Sequence, residues 1–249
     1  MSAACCSIPP VIDQTNYQPK GQYEKVGYFN KAYVTGPADS KTVLVGIYDI
    51  FGYFNQTLQG ADILADKGYR VVLPDFFRGK PFPLEKFPPG NEADQSELGK
   101  FFSTVAAPPA RIPELINISG ELRAKHDKVG LVGFCWGAAI ALNAATQDAK
   151  LFDAVAVLHP AMLDAGVVEK VKTPIGFFPS KDEDGSEVKK VIDILSSNEF
   201  KEKNAYHHFN TEKAIHGFAA ARCNLQDEEA KKVYVEAYER LTTFFKNAI

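Results

Sequence analysis

Residues Lys128-Val-Gly-Leu-Val-Gly-Phe-Cys-Trp-Gly-Ala-Ala-Ile-Ala-Leu142 constrain the fold more than any other stretch of the chain. An apolar run passes without a spacer into small residues and then into an alanine- and leucine-rich stretch, so the segment reads as strand, sharp turn and helix. Glycines at 133 and 137 leave room for a tight backbone path that side chains would block. A buried strand turning directly into a helix is the building unit of a parallel sheet covered by helices, and that pattern predicts the rest of the chain.

Strands are predicted at Tyr28-Val34, Thr42-Tyr48, Arg70-Leu73, Lys128-Phe134, Ala154-Leu158, Pro174-Phe178 and Ala205-Phe209, several of them continuously apolar as central strands should be. Helical periodicity falls between them at Asn55-Lys67, Ile112-Lys125, Gly137-Gln147, Glu187-Ser196 and Asp227-Lys246. The last places Ala230, Val233, Ala237, Leu241 and Phe244 on one stripe that would dock on the sheet. The fold class is therefore α/β. Its 249 residues, 45% hydrophobic, suit a single domain preceded by an arm over 1–20. The proline-rich segment 80–90 reads either as a plain surface loop or as a lid.

A formal net charge of -3 gives no basic surface for a phosphate backbone, so nucleic acid is not expected as a partner. The start of the chain has neither a basic region nor a long apolar core, which argues against a signal peptide or membrane anchor and for a cytoplasmic protein. Four cysteines, at 5, 6, 135 and 223, make no disulfide framework or paired metal motif, which fits a reducing compartment. Cys5 and Cys6 read as terminal thiols, with metal binding or palmitoylation as alternatives.

Chemistry points to Cys135, which has the setting of a nucleophile elbow, Gly-x-Cys-x-Gly between strand and helix. A thiol there faces the positive end of a helix dipole, which favours the thiolate. The Trp136 amide that follows would donate to a developing oxyanion. Such a nucleophile needs a base and an orienting acid, in that fold in the chain order nucleophile, acid, histidine. Asp182 follows the strand at Pro174-Phe178 and is the expected acid; Asp184, two residues on, is the alternative, and one of the two is expected to cap the Glu187 helix. Of five histidines, at 126, 159, 207, 208 and 216, only His216 lies in a loop between the last strand and the last helix, with His159 the nearest rival.

Gly-Phe-Cys-Trp-Gly at the elbow, Tyr-Asp-Ile-Phe-Gly upstream and His-Gly-Phe-Ala downstream resemble the dienelactone hydrolase (carboxymethylenebutenolidase) family, especially its fungal members, from about residue 21 onward. The resemblance implies an α/β-hydrolase core of seven or eight strands without a separate cap, and hydrolysis of a small lactone or activated ester through a Cys-His-Asp triad and a thioester. It implies no metal or organic cofactor and a monomer or homodimer acting on a small molecule. The family carries a thiol-activating acid, usually glutamate, where this chain has Asp49; being one methylene shorter, aspartate is expected to reach Cys135 over a longer or water-bridged contact. Turn capping is the alternative duty of Asp49. The Ile50 amide matches the second oxyanion donor. Arg78 and Arg222 resemble the arginines that hold a substrate carboxylate, although Arg222 lies farther past the histidine than in the bacterial pattern. A non-catalytic or redox-sensing protein on the same scaffold is the competing expectation.

Overall fold

A computed structural model describes residues 8–12, 16–209 and 213–249; Cys5 and Cys6 lie outside them. Among the described residues eight strands form one sheet: β1 (Gln22–Val26), β2 (Phe29–Thr35), β3 (Thr42–Ile47), β4 (Arg70–Pro74), β5 (Lys128–Phe134), β6 (Ala154–Leu158), β7 (Ile175–Phe178) and β8 (Ala205–Tyr206). Their spatial order is β1-β2-β4-β3-β5-β6-β7-β8. The β1/β2 and β2/β4 pairs are antiparallel and the other pairs parallel. The helices are α1 (Asn55–Ala65), α2 (Glu92–Ser103), α3 (Pro108–Arg123), α4 (Trp136–Gln147), α5 (Ala165–Val168), α6 (Gly185–Ser197) and α7 (Glu228–Ala248).

Both faces of the sheet are covered because successive strand residues point to opposite sides and both sets are apolar. On one face Val43, Val45, Val129 and Leu131 pack with Ile112, Leu115 and Ile118 of α3 and with Ile140 of α4. On the other, Leu44, Val132 and Phe134 meet Leu58 and Leu64 of α1 and Val233, Leu241 and Phe245 of α7. The stripe read along the last helix is thus its docking face.

Three elements go beyond the sequence pattern: β1, α2 and the single-turn α5 (Ala165–Val168). β1 is an exposed edge strand whose sequence, Gln-Tyr-Glu-Lys-Val, has no apolar face to announce it. α2 buries only Leu98 and Phe101, and is started by Asn91, whose side chain accepts from the Asp94 amide. The predicted strand over Ala205-Phe209 shortens to Ala205–Tyr206. Within segment 80–90, Phe82 and Phe87 are buried, and the Phe82 N–H donates to the Ile50 carbonyl at 2.9 Å. That segment is therefore pinned against the turn that follows β3.

The passage from β5 to α4 is the tightest in the fold. A Cβ on Gly137 would stand 2.1 Å from the Ile47 carbonyl oxygen, and one on Gly133 2.5 Å from the Gly137 carbonyl oxygen. Both obstacles are backbone, which cannot swing aside as a side chain would. Gly137→Ala is therefore expected to lose about 3 kcal/mol or more of stability. Gly120→Ala, at an exposed position of α3 where an added Cβ meets nothing within 4 Å, should instead gain about 0.5–1 kcal/mol. Thermal and denaturant melts of the two variants check the contrast, and similar losses at both sites would refute it.

Candidate active site

Cys135 is the single residue between β5 and α4, and it takes φ 52° and ψ -114°. A side-chain-bearing residue in that region is strained by about 1–3 kcal/mol and stays there only when its surroundings dictate it. They do so here through the backbone: the Cys135 N–H donates to the Leu158 carbonyl at 3.2 Å, and its own carbonyl accepts from Ala138 and Ala161 amides, each at 3.1 Å. The thiol is fully buried. Trp136 opens α4, where the first amides have no partner within the helix. Its indole is locked by an Nε1–H bond to the Ala106 carbonyl at 3.0 Å and by the Phe76 and Phe77 rings.

Because Gly137 has no side chain, α4 closes onto the Ile47 and Tyr48 carbonyls and brings the end of β3 against the elbow. Asp49 and Ile50 are both buried there. Asp49 Oδ1 accepts the Phe51 N–H at 2.9 Å, so it performs the capping duty, and its carboxylate also feels Cys135. Burial and the nearby thiolate charge push the Asp49 carboxyl up to about 6, against the opposing pull of Arg222 and of backbone N–H donors.

His216 is buried with its Nδ1 2.8 Å from Oε1 of Glu183. Nε2 makes no hydrogen bond of ordinary length among the described residues. The imidazole interacts with Cys135 both as a hydrogen-bonding group and as a charge. Burial alone would lower its pKa, but Cys135 and Glu183 outweigh burial and raise it to about 9. The three side chains therefore form a line, carboxylate to imidazole to sulfur, entirely inside the protein.

The acid that meets the imidazole is Glu183 and not the expected Asp182. Asp182 Oδ2 instead accepts the backbone N–H of His216 at 2.8 Å, so it holds the histidine loop. Asp184 caps α6 by accepting the Ser186 amide at 2.7 Å and the Glu187 amide at 3.3 Å, the turn duty foreseen for one of the pair. Glu183 is aimed by Ser180, whose amide and hydroxyl both donate to its carboxylate. The readable signal was Ser180-x-x-Glu183, the spacing of a capping box, in which a glutamate folds back onto the amide three residues earlier.

The arginines separate. Arg222 is buried, stacks over the Phe51 and Phe87 rings at 5.1 and 5.2 Å, bonds the Ile8 carbonyl and influences Asp49. Arg78, with φ 53° in the turn after β4, points instead to Glu114 and lies over Phe29 with its side chain half exposed. Phe29 packs on Phe76, which in turn meets Trp136, so Arg78 lies one aromatic layer away from the elbow and is paired with a carboxylate of α3. His159 is fully buried beside His216, with ring centroids 5.2 Å apart. Burial first, then the charges of His216 and Arg222, keep it neutral, and among the described residues no carboxylate meets either of its nitrogens. Of these two, His216 is thus the one equipped with an acid; His207, whose Nε2 lies 3.2 Å from Glu236, is half-buried and pairs with a residue of α7.

The profile of the dienelactone hydrolase family matches residues 30–249. The chain belongs to that family. An uncharacterized AIM2 family protein of Schizosaccharomyces pombe is 35% identical over 252 residues, covering 98% of this chain and 99% of the relative. A carboxymethylenebutenolidase homolog of Rattus norvegicus is 30% identical over 174 residues, covering 69% of this chain and 67% of the relative. In structure, a dienelactone hydrolase from Anabaena variabilis superposes with a TM-score of 0.60 at 17% identity, over 91% of this chain and 97% of that one. The dienelactone hydrolase family member described here thus has the α/β-hydrolase fold, and family and fold together support hydrolase chemistry. Among the described residues no group of three or more His, Cys, Asp or Glu side chains could hold a metal ion, and no helix is long and apolar enough to cross a membrane.

Glu183→Gln leaves the size of the side chain and removes its charge, so His216 loses the partner that fixes its tautomer. kcat for ester hydrolysis should fall by roughly 10³- to 10⁴-fold. Asp182→Asn, touching only a backbone amide, should cost roughly tenfold or less. Steady-state kinetics of both variants test the assignment, and the reverse order would return the acid to Asp182.

Proposed function

We propose that the protein hydrolyses small lactones or activated esters through a thioester on Cys135. The observation that carries this reading is the buried Glu183-His216-Cys135 line at a strained strand-to-helix turn. Strain and burial of charge both cost stability and cluster where chemistry is done. The thiolate attacks the substrate carbonyl carbon, a carbon–sulfur bond forms, and the carbonyl electrons move to oxygen, where the Trp136 and Ile50 amides are the donors available at this edge. Collapse expels the alkoxide, which takes the proton of the His216 imidazolium. His216, neutral again, draws a proton from water as the water oxygen attacks the thioester; the carbon–sulfur bond breaks, releasing the acid and restoring the thiolate beside the imidazolium. Asp49, its carboxyl poised near 6, takes the thiol proton before the first turnover and at neutral pH passes it on to solvent, leaving the thiolate-imidazolium pair that each cycle restores.

The lactone class rests on the family and on the name of the rat relative. Preference for a substrate bearing a carboxylate rests first on Arg222, buried beside Asp49, and second on Arg78, which is half exposed and paired with Glu114. Cys135 and His216 are each 0% exposed, so substrate reaches the sulfur only when the groups that cover it move. The acid-equipped His216 beside Cys135 favours turnover over an oxidation-sensing role, because sensing needs a thiolate but no general base. A thiolate nucleophile operates best in a reducing compartment, and we place the protein in the cytoplasm as a monomer or homodimer.

Assay of lactones and aryl esters against wild type and Cys135→Ala tests the reading: activity is expected in the first and none above background in the second. The kcat/KM profile should be a bell. Asp49 is protonated below about 6 and then cannot take the thiol proton, while His216 loses above about 9 the charge that pairs the thiolate and protonates the leaving oxygen. Asp49→Asn, which like protonated Asp49 cannot take the thiol proton, should lower kcat/KM at every pH and show no acid limb, leaving the alkaline one. Retention of both limbs in that variant, or activity in Cys135→Ala, would contradict the mechanism.

A further inference from the structure

The edge of the sheet presents a third residue between the nucleophile and the acid. Phe134 of β5 pairs with Leu158 of β6, and Leu158 pairs with Phe178 of β7, so the next residue along β6, His159, stands between Cys135 and the turn that carries Glu183. Its N–H donates to the Phe178 carbonyl at 2.9 Å, and its φ is 38°, a left-handed value that a bulky residue seldom adopts. Two neighbouring strands thus end in strained residues, Cys135 and His159, and both side chains are wholly buried. The His159 ring packs between Phe134, Phe218 and His216, with centroids at 5.9, 5.5 and 5.2 Å.

Buried polar atoms are normally bonded, yet neither ring nitrogen of His159 has a hydrogen-bond partner among the described residues. Packing alone would be served as well by phenylalanine at no polar cost. Nε2 of His216, the atom that must activate water, is likewise buried and makes no hydrogen bond of ordinary length. Nε2 of His216 faces the Cys135 sulfur in the resting site and is freed of the thiolate when that sulfur is acylated, so the unused capacity of His159 beside it suits a small polar molecule within reach of both rings. A water bound to His216 by one hydrogen is free to swing; a second bond fixes where its lone pair points, and misplacement by about 1 Å costs roughly a hundredfold in rate.

We propose that His159 hydrogen-bonds the water that His216 activates and so serves the deacylation step, an inference that rests on the thioester reading above. The water donates one hydrogen to Nε2 of His216, which takes it as a proton, and the other to an unprotonated nitrogen of His159, which keeps no proton. The water oxygen bonds to the thioester carbon, the carbon–sulfur bond breaks, the carboxylic acid departs, and the thiolate remains beside protonated His216. Burial keeps the His159 ring uncharged, so its lone pair is available.

The experiment separates the two half-reactions. With 4-nitrophenyl acetate, the burst of nitrophenol reports acylation and the steady state reports deacylation, while intact-protein mass spectrometry follows the acetyl group on Cys135. His159→Phe keeps a ring of similar volume without nitrogen; His159→Leu serves the same comparison if phenylalanine does not fold. The burst rate should stay within about twofold of wild type while steady-state turnover drops roughly 10- to 100-fold and acetyl-enzyme accumulates. His159→Gln, which retains a donor and an acceptor, should recover part of the loss. Hydroxylamine, which attacks a thioester without help in orientation, should restore turnover of the accumulated acetyl-enzyme. Equal loss in burst and steady state, or no loss in either, would overturn the inference. Wild type that turns over without ever acylating Cys135 would overturn the thioester reading itself, an outcome distinct from both.

Discussion

Between Phe134 and Trp136 the chain passes from strand to helix in one residue, which is possible only because hydrogen atoms occupy the side-chain positions at 133 and 137. With those two positions empty, α4 closes onto the carbonyls at the end of β3 to a distance that a methyl group would forbid. Everything that makes the site follows from that approach. It sets the strained angles of Cys135 and brings Asp49 and Ile50 alongside from the neighbouring strand. The parallel sheet then supplies the partners in order, because β6 and β7 end level with β5 and deliver His159 and the Ser180-Asp184 turn to the same edge.

Burial is the second determinant. Inside the protein, charges interact far more strongly than in water, so the charges around His216 and Asp49 move the titration of these two groups a long way. The consequences fall on both kinds of group: the His216 proton is held more tightly, up to about 9, while Asp49 holds its own proton up to about 6. Proton positions in the resting site are therefore set by neighbours that are themselves titrating, and Cys135, His216 and Asp49 behave as one coupled system. Arg222, stacked between Phe51 and Phe87 and tied to the Ile8 carbonyl, adds a positive charge that moderates the acidic side of this balance.

Which parts of this were readable from the residues follows from what each element needs. Strands β3, β5 and β6 are buried on both faces and so are written as unbroken apolar runs; β1, an exposed edge, carries no such pattern. α2 lacks a signature because two buried residues do not make a stripe. Cys135 and His216 were visible because a glycine-flanked elbow and a histidine before the last helix are local signals. The acid was not, since Asp182, Glu183 and Asp184 are consecutive carboxylates and the turn geometry assigns one to the His216 backbone, one to its ring and one to a helix cap. For Arg78 a motif locates the residue in the chain, whereas the pairing of its guanidinium with Glu114 from a left-handed turn is visible only in the structure.

Covalent chemistry at sulfur is the claim on which the functional account stands, and trapping the intermediate tests it most directly. Wild-type protein quenched in acid within the first turnover of a good ester substrate, then digested and mapped by mass spectrometry, should carry the acyl group on the peptide containing Cys135. The adduct should form faster than the steady-state rate and decay at that rate. Turnover without any adduct, or an adduct confined to another residue, would contradict it.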